Sequence, residues 1–176
     1  MAGPLIVLVH GGQHTRACWN PTVEAIHRTQ ADAQVLAVNL PGHGDEPGEL
    51  ATLTIAQCVE SVTAKIRALN PAQVILVGHS MAGITIPGVA AKLGQDQLRR
   101  VIFLACCIPP QGERVVDTLQ VPMNIVALRA VRKTAVASPL PSWLASWVFA
   151  NGMTRQQKAF MHSCLCSEST GVTVEA

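Results

Sequence analysis

The chain has 176 residues, with 13 Lys+Arg against 11 Asp+Glu and a formal net charge of +2. Hydrophobic residues make up 49% and charged residues 14%, which excludes a disordered chain because apolar surface is ample to offset chain entropy. The weak, scattered positive charge argues against nucleic acid as a partner, and three Trp, three Phe and no Tyr leave no base-stacking platform.

At the N-terminus, Met1-Ala2-Gly3-Pro4 carries no basic residue, and the apolar run that follows is shorter than the roughly 7–15 residues of a signal-peptide core. The longest uninterrupted apolar run, Val101 to Ile108, is far below the roughly 18 residues of a membrane span. The expectation is a cytoplasmic protein with no membrane association. Its six cysteines (Cys18, Cys58, Cys106, Cys107, Cys164, Cys166) then read as reduced thiols acting as small hydrophobes.

Leu5–Val9 is near-continuously apolar, as in a strand buried on both faces of a parallel sheet. It runs straight into His10-Gly11-Gly12, a loop whose glycines allow a backbone N–H to reach a bound group without side-chain obstruction. His10 and His14 are four apart, but the glycines between them preclude a preformed helical metal pair, and no metal or cofactor is expected. Asn20 is predicted to cap a helix with Pro21 at its first position, running to about Thr29. Gln34–Asn39 is the second predicted strand, and the loop Leu40-Pro41-Gly42-His43-Gly44-Asp45 behind it is placed to shape the rim of a site. Thr54-Ile55-Ala56-Gln57 is a capping box. Ile55, Val59, Val62, Ile66 and Leu69 then form one face of a helix stopped by Asn70-Pro71.

The third strand, Gln73–Val77, leads into Gly78-His79-Ser80-Met81-Ala82-Gly83. Small residues at Gly78, Ala82 and Gly83 let strand and helix approach closely around a tight turn. Such a turn holds the Ser80 hydroxyl at the carboxyl end of the sheet and aims the Met81 N–H at any oxyanion formed there. His79 starts from a differently directed position and reads as structural. A helix from Met81 to Leu93, ended by Gly94, is predicted to kink at Pro87-Gly88. The fourth strand is Val101–Cys107. Strand–helix alternation of this kind predicts an α/β fold, a doubly wound, mainly parallel sheet of about four strands with flanking helices.

After Ile108 the pattern changes. Pro109-Pro110 breaks the chain, and no further strand of comparable quality follows. Short helices are predicted over Met123–Lys133, Ser142–Ala150 and Thr154–Cys164, the last opening on a second capping box, Thr154-Arg155-Gln156-Gln157. Trp143, Trp147, Phe149 and Phe160 gather here and read as helix packing, compatible with a cap over a pocket. Residues 167–176 are polar and expected to fray. The division is a core over residues 1–108 and a helical cap-like segment and tail over residues 109–176, within one domain.

The strand–His-Gly-Gly loop followed by the strand–Gly-His-Ser-Met-Ala-Gly elbow resembles the α/β-hydrolase family over essentially the whole chain, and most of all its small esterase-like members related to plant methylesterases and hydroxynitrile lyases. The resemblance implies a Ser80 nucleophile, an oxyanion hole of the Gly12 and Met81 backbone N–H groups, and a small-molecule carboxylic ester as substrate. Ala82 stands where the elbow usually has its last glycine. The resemblance also implies an acid and a histidine on strands beyond the cap. No Gly-His follows Ser80; the one later histidine is His162, and Ser80, Asp117 and His162 stand in the right order, although His162 reads as a residue of a cap helix.

The expectation is therefore a truncated α/β-hydrolase fold that holds a nucleophile and an anion cradle without a general base. The side of Val101–Cys107 that later strands would cover is expected to be open and to drive self-association. Two alternatives stand beside the esterase: a non-catalytic ligand-binding or interaction protein on the same fold, and a hydroxynitrile-lyase-like activity. A dinucleotide fingerprint is not met, since Gly42-His43-Gly44-Asp45-Glu46-Pro47 ends in proline.

Overall fold

The computed structural model describes residues 3–121 and 123–176. Its elements run β1 (Leu5–Val9), α1 (Asn20–Thr29), β2 (Val35–Val38), α2 (Ile55–Ala68), β3 (Val74–His79), α3 (Ile86–Gln97) and β4 (Leu98–Leu104). Then come α4 (Val115–Thr118), α5 (Met123–Lys133), β5 (Val136–Ala137), α6 (Ser142–Phe149), α7 (Arg155–Ser163), β6 (Glu168–Ser169) and α8 (Thr170–Val174). The first four strands form one parallel sheet in the order β2-β1-β3-β4, so the chain reverses its direction of winding at β1. Aliphatic runs explain this choice: in β1 both faces are covered, with Val7, Leu8 and Val9 at 0–1% exposure, whereas in β3 the buried Val74 and Leu76 share one face and Ile75 and Val77 on the other are half-buried.

The predicted α2 holds in detail. Thr54 Oγ1 accepts from the Gln57 N–H (3.2 Å), and Gln57 Oε1 accepts from the Thr54 N–H (2.9 Å), so two amides without helical partners are satisfied at once. Val59, Val62 and Ile66 form the buried stripe that packs under the sheet with Cys58. Leu69, counted in that stripe, instead lies past the last helical residue and is exposed, because Asn70 turns the chain into a left-handed conformation (φ +45°).

Four local expectations need correction. Asn20 does not cap α1: a 3-10 turn over Arg16–Trp19 runs directly into the helix, Asn20 is its first residue, and no side chain caps it. Pro87 does not kink α3. The chain passes through a 3-10 turn over Ser80–Ile84 before the helix starts at Ile86, which places Pro87 in the first turn, where its missing N–H costs nothing. The fourth strand lies three residues earlier than expected, at Leu98–Leu104. Ala105 then takes φ +46°, and the chain leaves the sheet so that the Cys107 N–H bonds to the Ser80 carbonyl (3.0 Å). Nor is β4 covered on both faces: Ile102, Phe103 and Leu104 are 39–48% exposed, and among the described residues β4 has a strand neighbour on one side only.

The last third differs more. Of the aromatics expected to pack the cap helices, Trp143 and Trp147 face outward at 72% and 70% exposure, and the small buried cluster of those helices is Ala145, Ala150 and Met161. The tail does not fray. Residues 164–166 run beside the loop after β1, with an antiparallel bridge between His14 and Leu165 and a Thr15 N–H to Cys164 carbonyl bond (3.1 Å). A short antiparallel pair, β5 with β6, then sets Ala137 opposite Glu168. Beyond it Val172 enters the main core, and the Glu175 carboxylate accepts from the Ile55 N–H (2.8 Å) at the N-terminus of α2, where negative charge is favoured. No helix is long and apolar enough to cross a membrane among the described residues.

Candidate active site

Parallel neighbours end on the same side of a sheet, and the register Val9↔Gly78 brings the loops after β1 and β3 together there. Contact is close: a Cβ on Gly11 would lie 2.8 Å from the Ser80 Cβ, so only glycine fits. Gly83 has the same role on the other flank, where a Cβ would meet the Cys106 Cβ at 2.9 Å. Ser80 itself takes φ +53°, a left-handed conformation that a residue with a side chain rarely adopts and that surrounding structure must impose. Here the imposing contacts are Gly11 and the Cys107 N–H on its carbonyl.

Ser80, Gly12 and Met81, singled out by sequence, share one hollow of about 370 Å³ with Leu140, Phe149 and Glu168 in its wall. Most of the lining surface is apolar, and its aliphatic residues come from the segment after residue 107. The Met81 side chain lies against Gly12, at 3.3 Å from where a Cβ would stand. Asp117 and His162 are not brought to this hollow. Asp117 pairs with Arg114 at 2.8 Å within α4, which holds its carboxyl below the usual range, and His162 Nε2 meets the Ser146 hydroxyl (2.8 Å) between α7 and α6.

Each histidine near the site has a legible state. His10 is fully buried; its Nε2 accepts from the Leu40 N–H (3.1 Å), so Nδ1 carries the proton and donates to the Gly11 carbonyl (2.8 Å). Burial pushes its pKa down from 6.5 to about 4, and the ring is neutral. His43 packs against it at a 51° tilt with centroids 5.1 Å apart and is equally buried, but both its nitrogens face acceptors: the Pro41 carbonyl (3.0 Å) and Glu168 Oε2 (3.1 Å). Burial works against the charge, yet the Glu168 hydrogen bond and charge outweigh it and raise the pKa above 6.5. His79 packs edge-on against Trp19 (6.2 Å), and burial, then the neighbouring His14, lower its pKa. His14 lines the hollow with its Nδ1 on the Gly12 carbonyl (2.8 Å). Among the described residues no side chain is hydrogen-bonded to the Ser80 hydroxyl, and no group of three His, Cys, Asp or Glu stands close enough to hold a metal ion.

Sequence reasoning missed Gln13 and Glu168, and weighed His14 only as a metal ligand. The loop at residues 40–45 is also more than a rim, because it sends His43 inward to Glu168. A lone acid in a polar tail has no periodicity to mark it.

The sequence profile of the alpha/beta hydrolase family matches residues 6–168. The probable esterase PIR7A of Oryza sativa subsp. japonica is 31% identical over 122 residues, 67% of this chain and 44% of that protein. Protein phosphatase methylesterase 1 of Homo sapiens is 32% identical over 128 residues, 70% of this chain and 32% of that protein. The chain thus spans less than half the length of either relative. Among solved structures, an extracellular alpha/beta-hydrolase from a Paenibacillus species superposes with a TM-score of 0.85 over 98% of this chain and 70% of that one, at 22% identity, a likeness of fold alone.

Proposed function

Starting from the premise that the chain belongs to the alpha/beta hydrolase family, we propose that it acts on small carboxylic esters, with Ser80 as nucleophile and the Gly12 and Met81 backbone N–H groups as the oxyanion hole. The observation that carries this reading is the left-handed φ of +53° at Ser80, a non-glycine residue at a strand-to-helix turn pressed against Gly11. In the proposed reaction Ser80 Oγ bonds to the ester carbonyl carbon, and the carbonyl oxygen takes up the negative charge. Collapse breaks the bond to the alcohol, which leaves with the proton that Oγ has lost. Water then attacks the acyl group and releases a carboxylic acid. The aliphatic wall of the hollow suits a neutral, apolar acyl group.

Proton transfer needs a carrier, and no histidine among the described residues is bonded to the Ser80 hydroxyl. Serine without a base is a weak nucleophile, and an oxyanion hole with binding alone sustains roughly 10³–10⁴-fold over water. That observation favours a second reading, a ligand-binding protein on the same fold. A fluorophosphonate probe separates the two: slow labelling of the wild-type chain, abolished by Ser80→Ala, supports the hydrolase. A folded chain that binds apolar esters saturably and takes no label has the second function. Six free cysteines, with burial pushing Cys18 and Cys58 up to about 12, support placing the protein in the reducing cytoplasm.

A further inference from the structure

All four polar groups of Gln13, the residue after Gly12, are taken by the last third of the chain. Its N–H donates to Glu168 Oε2 (2.8 Å), and its carbonyl accepts from the Cys166 N–H (2.9 Å). Its side-chain Nε2 donates to the Ser138 carbonyl (3.0 Å), and its Oε1 accepts from the Leu140 N–H (3.1 Å). Gln13 also takes φ +57°, a conformation that these bonds hold in place. Glu168 is in turn seated from two sides: Oε1 accepts from the Ser169 N–H (2.9 Å), and Oε2 faces His43 Nε2 (3.1 Å), with only 7% of its side chain exposed. Its Oε2 lies 3.4 Å from where a Gly12 Cβ would stand. His10, Cys58 and Cys166 are the other titratable groups that feel the charge of this carboxylate.

We propose that the His43–Glu168 pair is a positioning device for the Gly12–Gln13 loop, holding the Gly12 N–H toward Ser80. The proposal rests on the reading of that N–H as an oxyanion donor. It follows from the geometry because a carboxylate on the Gln13 N–H fixes the peptide plane next to Gly12, and a displaced oxyanion donor weakens only the charge that develops during attack. The 164–169 segment is therefore part of the site's machinery although it touches none of the reacting atoms.

Two readouts test it on the full chain. Hydrogen exchange at the Gly12 and Gln13 amides, compared with Val7 and Leu8 in β1, should speed up by roughly tenfold or more in Glu168→Gln, with the β1 amides unchanged. The rate constant of fluorophosphonate labelling should fall roughly 10- to 100-fold at an unchanged half-saturating probe concentration. His43→Ala should copy both effects, and His43→Gln, whose amide still donates to Glu168, should restore part of each. Unaltered exchange at Gln13 overturns the proposal. So does faster exchange with an unchanged labelling rate, since the clamp would then serve stability alone. If the wild-type chain takes no label, the hydrolase reading fails separately, and the exchange arm decides whether the pair holds the loop.

Discussion

Residues 5–104 bury one continuous aliphatic cluster in which Val7, Val62, Ile66, Val74, Leu76 and Ile86 are all at 0% exposure, whereas residues 109–176 have Ala145, Ala150 and Met161 as a small cluster of their own. The first region is held by apolar burial among its own elements. The second is fastened to it, largely by polar bonds to Gln13, Thr15 and His43 and by Val172 and Glu175 reaching the main core. Ser80 and the hollow lie at the seam, so the floor of the site comes from the stable part and its wall from the fastened part. A wall joined in this way can open without unfolding the floor, in the manner of a lower-stability unit of a native protein.

The largest expected effect tests the floor. Leu76→Ala should lower unfolding stability by about 2–5 kcal/mol in urea melts, whereas Trp147→Ala, at a residue 70% exposed, should stay within about 0.5 kcal/mol. Acid tests the seam. Folded His10 stays neutral down to about pH 4, while the unfolded chain binds that proton near 6.5, so stability should fall as pH drops through this interval. The displacement corresponds to roughly 3 kcal/mol, read as a falling urea midpoint and reduced in His10→Gln. His43 has the opposite sign: its pKa is raised, so its contribution is present below 6.5 and lost as pH rises through the folded value.

A sharper comparison uses one motif in both regions. Thr54→Ala and Thr154→Ala each remove the same capping box, about 1 kcal/mol each. The first should lower the global melt, and the second should appear as faster hydrogen exchange confined to α7. The smallest effect on folding concerns the open edge of β4, which we propose pairs with a second copy. Antiparallel pairing of Val101 with Ile102 sets Arg99 and Arg100 opposite Leu104 and Phe103, so like charges do not meet. Concentration-dependent mass in light scattering should disappear in Ile102→Lys with little change in the melt, and a monodisperse wild-type monomer at high concentration would remove the proposal.

Much of the floor was legible because its signals are local. A run such as Leu5–Val9 can satisfy its side chains only in a buried strand, and Thr54 with Gln57 caps a helix whatever lies around it. The elbow at Ser80 is legible for the same reason, its small flanking residues being the condition for close approach. Boundaries that depend on neighbours were not: Pro87 became a first-turn residue because the turn at Ser80–Ile84 extended, and β4 ended at Leu104 because the next residues bond back to Ser80.

The amino-acid order by itself determined the parallel sheet, the capped α2 and the serine at the turn, since each follows from side-chain shape and backbone preference within a few residues. Only the tertiary structure decided that residues 164–175 return to the core, that Gln13 gives its backbone groups to Glu168 and Cys166 and its side chain to Ser138 and Leu140, and that Glu168 stands between His43 and the Gly12 loop. Most of those contacts include a backbone amide or carbonyl, which every residue type carries alike. Which of them meet is set by how the chain packs across more than a hundred residues.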